Sequence, residues 1–169
     1  RNVNFILQSQ NSDDSWPYEI VENRTTFIDH FHTCFVLKNL YKLNKHLGEE
    51  RIKSAIKKGF DYYTTSLFNS DGTPRTFAIK PRFQIVTDDL YNYAEAITLC
   101  SLLKKELSQA GRMIDGLVSK LIMGYQLPDG YFVTKVYHSG IKTKFPFLRW
   151  SQAQLVYCLT NILVLFKTI

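Results

Sequence analysis

The segment FIDHFHTC, residues 27–34, places one carboxylate and two imidazoles within four positions, Asp29 to His32. Such residues can bind a metal, exchange protons with a substrate or cap a helix. On a helix, residues two apart point about 200° away from each other, so His30 and His32 cannot hold one ion. No cysteine or second histidine pair completes a zinc site. We therefore expect no metal and no cofactor at this segment.

A charged residue followed three positions later by a hydrogen-bonding residue recurs at intervals of 60 residues. The three pairs are Asp29 with His32, Asp89 with Asn92, and Arg149 with Gln152. Residues three apart share a helical face, so each pair belongs to the first turn of one helix. If the helices are parallel around an axis, the pairs converge where the positive helix dipole ends favour anionic groups.

This pattern suggests glycan chemistry at the helix N-termini. Asp29 and Asp89 are the predicted general acid and base, with one carboxyl kept protonated by its neighbour. A cation at a helix N-terminus opposes the dipole, so Arg149 requires an ion-pair partner or a bound substrate carboxylate. We expect the substrate contacts to come from Trp16, His32, Tyr91, Asn92, Arg149, Trp150 and Gln152.

Other interpretations of these residues stay open. Asp29 and Asp89 are also good helix caps, which makes a non-catalytic helical scaffold the second hypothesis. Trp150 either packs in the core, the interpretation we favour, or forms a stacking platform for a sugar. The DDLYN segment, residues 88–92, is similar to the magnesium-diphosphate motif of terpene synthases, although Asn92 replaces an acid. Isoprenoid-diphosphate chemistry is the third hypothesis.

The elements that must position these groups also repeat. Turn segments at residues 8–18, 66–77 and 124–135 precede the three pairs, with Asp14, Asp71 and Asp129 spaced by 57 and 58 residues. Each unit comprises a turn, a short extended hairpin, an inner helix and an outer helix. The sequence predicts an all-α fold, an α/α toroid or arc of about three helical hairpins of ~60 residues with short β-hairpin or turn insertions.

Helical periodicity gives approximate bounds for these helices. Gly48 is the predicted end of the first inner helix, and Thr87 and Ser108 are predicted caps of later helices. The last helix, from about Trp150 to Lys167, is apolar nearly all round, so we expect it to be buried. We expect residues 1–169 to form one domain, the C-terminal part of a longer chain, completed by N-terminal hairpins or a homo-oligomer.

Composition narrows the class of protein. The net charge of +6, of which +4 lies in the last 49 residues, forms no basic stripe, which disfavours nucleic-acid binding. No apolar run approaches the ~20 residues of a membrane span. The cysteines, Cys34, Cys100 and Cys158, lie in apolar patterns typical of a reducing compartment, so we expect a cytoplasmic location.

Several segments together resemble a known family. FILQSQNSDDSWPY is similar to the turn that closes an outer helix in α/α-toroid proteins. With FIDHFHTCFVLKNL, DGTPRTF, LPDGYFV and LRWSQAQLVYCL, it resembles a bacterial polysaccharide-biosynthesis family related in fold to six-hairpin glycosidases and uronyl-processing enzymes. The resemblance implies a cleft formed by Trp16, Asp29, His32, Asp89, Arg149, Trp150 and Gln152. The chain departs from that family at Tyr91, where the family has histidine.

The resemblance implies a carbohydrate-active or carbohydrate-binding protein of bacterial surface-polysaccharide metabolism that takes an acidic oligosaccharide or polysaccharide. If the protein is an enzyme, it is expected to be a hydrolase, lyase or epimerase that uses paired carboxylates.

Overall fold

The fold is described from a computed structural model that covers residues 2–22, 24, 26–81 and 83–167, with side chains through residue 164. The chain divides into two compact units. Unit 1 comprises residues 1–68 and 77–84, and unit 2 comprises residues 69–76 and 85–169. The single domain expected over residues 1–169 stays a prediction.

Unit 1 is built around one helical hairpin. Its elements are α1 (Asn2–Gln8), β1 (Ile28–Asp29), α2 (His30–Leu47), α3 (Glu50–Ser66) and β2 (Phe77–Ile79). β1 pairs antiparallel with β2, and α2 packs against α3 through apolar stripes. The predicted end of α2 is confirmed, because Gly48 adopts a left-handed φ of 68° and its N–H bonds to the Asn44 carbonyl.

Unit 2 is built around a buried inner helix. Its elements are β3 (Val86–Asp89), α4 (Leu90–Leu103), α5 (Ser108–Tyr125), β4 (Lys135–Tyr137), β5 (Lys142–Thr143), a π-helical turn (Leu148–Gln152) and α6 (Ala153–Lys167). The strands form an antiparallel sheet in the order β3-β4-β5. α4 packs against both α5 and α6, which explains why most of its residues are buried.

The repeat is visible in three equivalent turns. In each turn, the backbone N–H of the first residue donates to the carbonyl of the residue four positions later. The three bonds run from Asn11 to Ser15, from Asn69 to Thr73 and from Leu127 to Tyr131. The left-handed positions are Asp14, Gly72 and Gly130, with φ of 68°, 82° and 89°. These turns are 58 residues apart, so the residue equivalent to Asp71 is Asp13 rather than the expected Asp14. Asp13 and Asp71 each accept bonds from the backbone N–H and hydroxyl two residues later.

Three details of the helices differ from the sequence predictions. Asp89, not Thr87, caps α4, because the Thr87 hydroxyl donates instead to the Val136 carbonyl. α5 begins at Ser108 itself, after Leu107. The expected burial of the last helix is wrong, because α6 packs on α4 along one side while another side exposes Val156, Tyr157, Leu163 and Val164.

The small sheets make the fold helical with added strands rather than strictly all-α. Cys34, Cys100 and Cys158 are buried and form no disulfide among the described residues. Within residues 2–22, 24, 26–81 and 83–167, no helix has the length and apolar character to cross a bilayer.

Candidate functional site

In unit 1, β1 leads directly into α2 and places Asp29 at the junction. One Asp29 carboxylate oxygen, Oδ1, accepts the His32 backbone N–H at 2.8 Å, which caps the helix. The other oxygen, Oδ2, lies 2.6 Å from His32 Nδ1. The capping interpretation is therefore confirmed for Asp29, and the same carboxylate also holds an imidazole.

The geometry assigns different roles to Asp29 and His32. A carboxylate accepts hydrogen bonds, so His32 carries its Nδ1 proton toward Asp29 and leaves Nε2 as the outward nitrogen. The His32 side chain is 38 % exposed and that of Asp29 is 3 % exposed. His32 is therefore the more accessible group and Asp29 orients it, while a direct contact of Asp29 with a substrate stays a prediction.

His30 belongs to the core. Its Nδ1 lies 3.2 Å from the Leu67 carbonyl, so Nδ1–H donates there, and Nε2 accepts from the Tyr63 hydroxyl at 2.7 Å. His30 and His32 therefore engage different partners on different sides of α2. Among the residues that the structure describes, no cluster of three His, Cys, Asp or Glu side chains could hold a metal.

In unit 2, β3 leads into α4 in the same way and places Asp89 at the junction. Its Oδ1 accepts the Tyr91 N–H at 3.1 Å, which confirms Asp89 as a cap. Lys135 is its partner across the β3–β4 ladder, with Nζ 3.7 Å from Oδ2. Burial raises the pKa of the Asp89 carboxyl, outweighing the Tyr91 and Lys135 contacts that lower it. A carboxyl with a raised pKa is suited to donate a proton as a general acid.

The side chains of Asp88 and Asp89 lie on opposite faces of the sheet. Successive residues of a strand point to opposite sides, and Asp88 lines a cavity that Asp89 does not line. Two carboxylates arranged in this way cannot chelate one magnesium ion. This geometry does not support the isoprenoid-diphosphate hypothesis, which required Asp88 and Asp89 to act together and stays a prediction.

An aromatic pair and a cation lie at the start of the third inner helix. The rings of Tyr91 and Trp150 are 5.5 Å apart and inclined by 37°. Trp150 is 54 % exposed, so the favoured interpretation of a core tryptophan is wrong. Arg149 beside it is exposed and has no ion-pair partner among the described residues. Both belong to the π-helical turn, a distortion that is frequent at functional sites.

Three residues expected to bind substrate are instead buried, namely Trp16, Gln152 and Asn92. Trp16 donates its indole N–H to the Ile6 carbonyl at 2.9 Å. Gln152 binds the backbone of Phe132 twice, accepting its N–H at 3.0 Å and donating to its carbonyl at 2.7 Å. The expectation for these two side chains is corrected, because packing and backbone hydrogen bonds already occupy them.

Asn92 is also buried in α4, but neither atom of its side-chain amide has a hydrogen-bond partner in the described part of the chain. The same holds for the buried Ser151 hydroxyl in the π-helical turn. Unsatisfied buried polar groups are rare in native proteins and call for an explanation. Ser151 was not predicted, because a serine in an apolar helical pattern gives no functional signal.

Lys135 was also missed by the sequence analysis. It lies 46 residues after Asp89, and only the antiparallel pairing of β3 with β4 brings the two together. The β-branched and aromatic residues of VTKVY, which are typical of a strand, were the available signal. The first helix start belongs to unit 1 and the other two belong to unit 2, so the convergence of all three on one mouth stays a prediction.

No protein-family model matches the chain, and the comparison with curated proteins finds no match either. Several solved structures are similar, including the following two. The first is described as a novel alpha-amylase from Clostridium perfringens, with a TM-score of 0.72 and 9 % identity, over 94 % of this chain and 48 % of that chain. The second is an unsaturated glucuronyl hydrolase specific for heparin, with a TM-score of 0.64 and 9 % identity, over 79 % of this chain and 40 % of that chain.

At 9 % identity these similarities show the fold alone, which is of the helical-toroid type over the aligned residues. The chain spans about half or less of the length of each of these proteins.

Proposed function

We propose that this protein binds an acidic glycan at the N-termini of its inner helices and processes it. The observation that carries the proposal is the exposed Trp150, paired with Tyr91 and adjacent to the exposed Arg149. An exposed aromatic ring offers a face to the apolar side of a sugar. A guanidinium without an ion-pair partner among the described residues suits the carboxylate of a uronic acid.

Two groups are suited to proton transfer. Asp89 provides a carboxyl whose pKa burial raises, and His32 presents an outward imidazole nitrogen held in place by Asp29. Within unit 2 we assign Asp89 as a proton donor. Within unit 1 we assign His32 as a proton acceptor, with Asp29 as the residue that positions it. The solved neighbours, an alpha-amylase and an unsaturated glucuronyl hydrolase, support a carbohydrate substrate by fold. Hydrolase, lyase and epimerase reactions all require proton-transfer groups of this kind.

The proposal places the protein in bacterial surface-polysaccharide metabolism in the cytoplasm, with the remaining hairpins supplied by N-terminal sequence or a second copy. The family resemblance and the buried thiols support this context.

Binding of oligogalacturonides tests the proposal. Isothermal titration is expected to give at least tenfold weaker binding for Arg149→Ala and Trp150→Ala. Arg149→Ala removes a charge-assisted hydrogen bond, which contributes about 1.5–3 kcal/mol, and Trp150→Ala removes the ring that faces the sugar. Arg112→Ala is the matched control, because Arg112 is an exposed arginine on α5. Equal affinity of the Arg149 and Arg112 variants, or no binding by the wild type, contradicts the proposal.

A non-catalytic scaffold is the second candidate, and a specific observation favours it. Gln152 is committed to the backbone of Phe132, and both Asp29 and Asp89 cap helices. If scaffolding were their only role, Asp89→Asn would preserve any activity of the parent protein. Loss of activity in a folded Asp89→Asn variant decides for the enzyme.

A further inference from the structure

A separate cavity lies within unit 2 on the side of the sheet that Asp89 does not face. Its volume is about 440 Å³. Its walls are the C-terminal turns of α5, the first turn of α4, the loop at Thr73 and the sheet. Small-molecule pockets span about 300–1,000 Å³, so this cavity has room for a small ligand.

The sheet contributes one complete face to the cavity. Asp88 pairs with Val136 across β3 and β4, and Val136 pairs with Lys142 across β4 and β5. Residues paired in this way project to the same side of a sheet. All three line the cavity, which places a carboxyl, an apolar patch and an amine in one row.

The opposite wall contains a buried hydroxyl that lies beside the Tyr125 hydroxyl without a well-formed hydrogen bond. Tyr93 is 1 % exposed and lines the cavity, and its hydroxyl forms no hydrogen bond of acceptable geometry with any described residue. Burial raises the pKa of Tyr93 far above its ordinary value, so the phenol stays neutral and available as a donor. A buried hydroxyl left without a partner destabilises the folded state, which a bound acceptor would relieve.

The lining chemistry identifies the class of ligand. The charged lining residues are Asp88, Lys120 and Lys142, and Lys120 lies 3.9 Å from Asp71 outside the lining, so neither a cation nor an anion finds a strong net opposite charge. The half-buried ring of Tyr125, 5.4 Å from that of Tyr93, adds an apolar wall. An uncharged ligand with several hydroxyls and an apolar ring face matches these groups.

We propose that this cavity binds an uncharged mono- or disaccharide, with the Tyr93 hydroxyl, Asp88 and Lys142 bonding to the sugar hydroxyls. It is a second glycan site, on the opposite face of β3 from the proposed acidic-glycan site. The proposal rests on the lining residues and does not require the helix starts to be catalytic.

Saturation-transfer NMR and titration with maltose, cellobiose and diacetylchitobiose test this inference. At least one of the three disaccharides is expected to bind the wild type, and about tenfold less tightly to Tyr93→Phe and Lys142→Ala. Lys144→Ala is the matched control, because Lys144 is an exposed lysine of the same segment that does not line the cavity.

Arg149→Ala separates the two sites. It is expected to weaken oligogalacturonide binding and leave disaccharide binding unchanged. Absence of binding for all three disaccharides overturns the inference, and so does equal affinity of the wild type and the Tyr93→Phe and Lys142→Ala variants. Disaccharide binding that is lost in Arg149→Ala but kept in Tyr93→Phe places the sugar at the helix start and also overturns it.

Discussion

Replacing Tyr93 by phenylalanine should stabilise the protein, whereas the same replacement at Tyr63 should destabilise it. Both rings are essentially inaccessible to solvent, with 1 % and 0 % exposure. The Tyr93 hydroxyl lies beside that of Tyr125 but forms no hydrogen bond of acceptable geometry with any described residue, whereas the Tyr63 hydroxyl bonds to His30 Nε2 at 2.7 Å. Both substitutions therefore remove a buried hydroxyl oxygen, but only the Tyr63 oxygen takes part in a well-formed hydrogen bond.

A buried polar group without a partner costs about 1–3 kcal/mol, so Tyr93→Phe should raise the free energy of unfolding by about 1 kcal/mol or more. Tyr63→Phe removes a bond and leaves His30 Nε2 without its donor, so it should lower that free energy by about 1–3 kcal/mol. For a chain of this size, each kcal/mol moves Tm by about 2–4 °C.

Urea unfolding followed by circular dichroism and by tryptophan fluorescence measures both changes. Coincident transitions by the two probes justify a single free energy of unfolding. If Tyr93→Phe lowers stability as much as Tyr63→Phe, the Tyr93 hydroxyl has a partner and the reasoning about the cavity fails.

Three further predictions follow from the helices and the sheet. Gly59→Ala should lower the free energy of unfolding by about 1–3 kcal/mol, because its Cβ collides with the Trp16 ring, whereas Gly116→Ala, with open space around it, should raise it by about 1 kcal/mol in calorimetry. Asp29→Asn should retain the α2 cap and stability but lose activity, while Asp29→Ala should also lose about 1 kcal/mol of stability in urea unfolding. Burial raises the pKa of folded Asp88, so its ionisation destabilises the fold above the unfolded pKa of about 3.9, and the stabilisation by Asp88→Asn should be larger at pH 7 than at pH 4. An opposite pH trend for Asp88→Asn, or equal effects of the two glycine substitutions, contradicts these arguments.

The sequence predicts those features that depend on local chemistry. Asp29 and Asp89 precede helical patterns, and both cap helices, because a short acid satisfies the free N–H groups of the first turn. Gly48 ends α2 because a left-handed residue is needed there. Turn chemistry also revealed the repeat, although the equivalent of Asp71 is Asp13 and only the turn hydrogen bonds distinguish it from Asp14.

Features that depend on tertiary packing were not predictable in this way. Trp150 and α6 are apolar in sequence, yet a helix packed along one side leaves apolar residues exposed on another. Gln152 was expected at a substrate, but the backbone of Phe132, which only the fold brings close, satisfies its amide. The pairing of Asp89 with Lys135 likewise depends on a ladder between distant segments.

The alternation of Asp88 and Asp89 along β3 has a consequence for how this protein can evolve. Two adjacent residues place their carboxylates in two different environments, and these environments lie on opposite faces of one sheet. A point substitution changes one environment and leaves the other intact. Deleting a single residue from β3, by contrast, would turn each carboxylate to the opposite face and exchange the two environments at once. Homologues should therefore tolerate variation at either acid more readily than any change in the length of this strand.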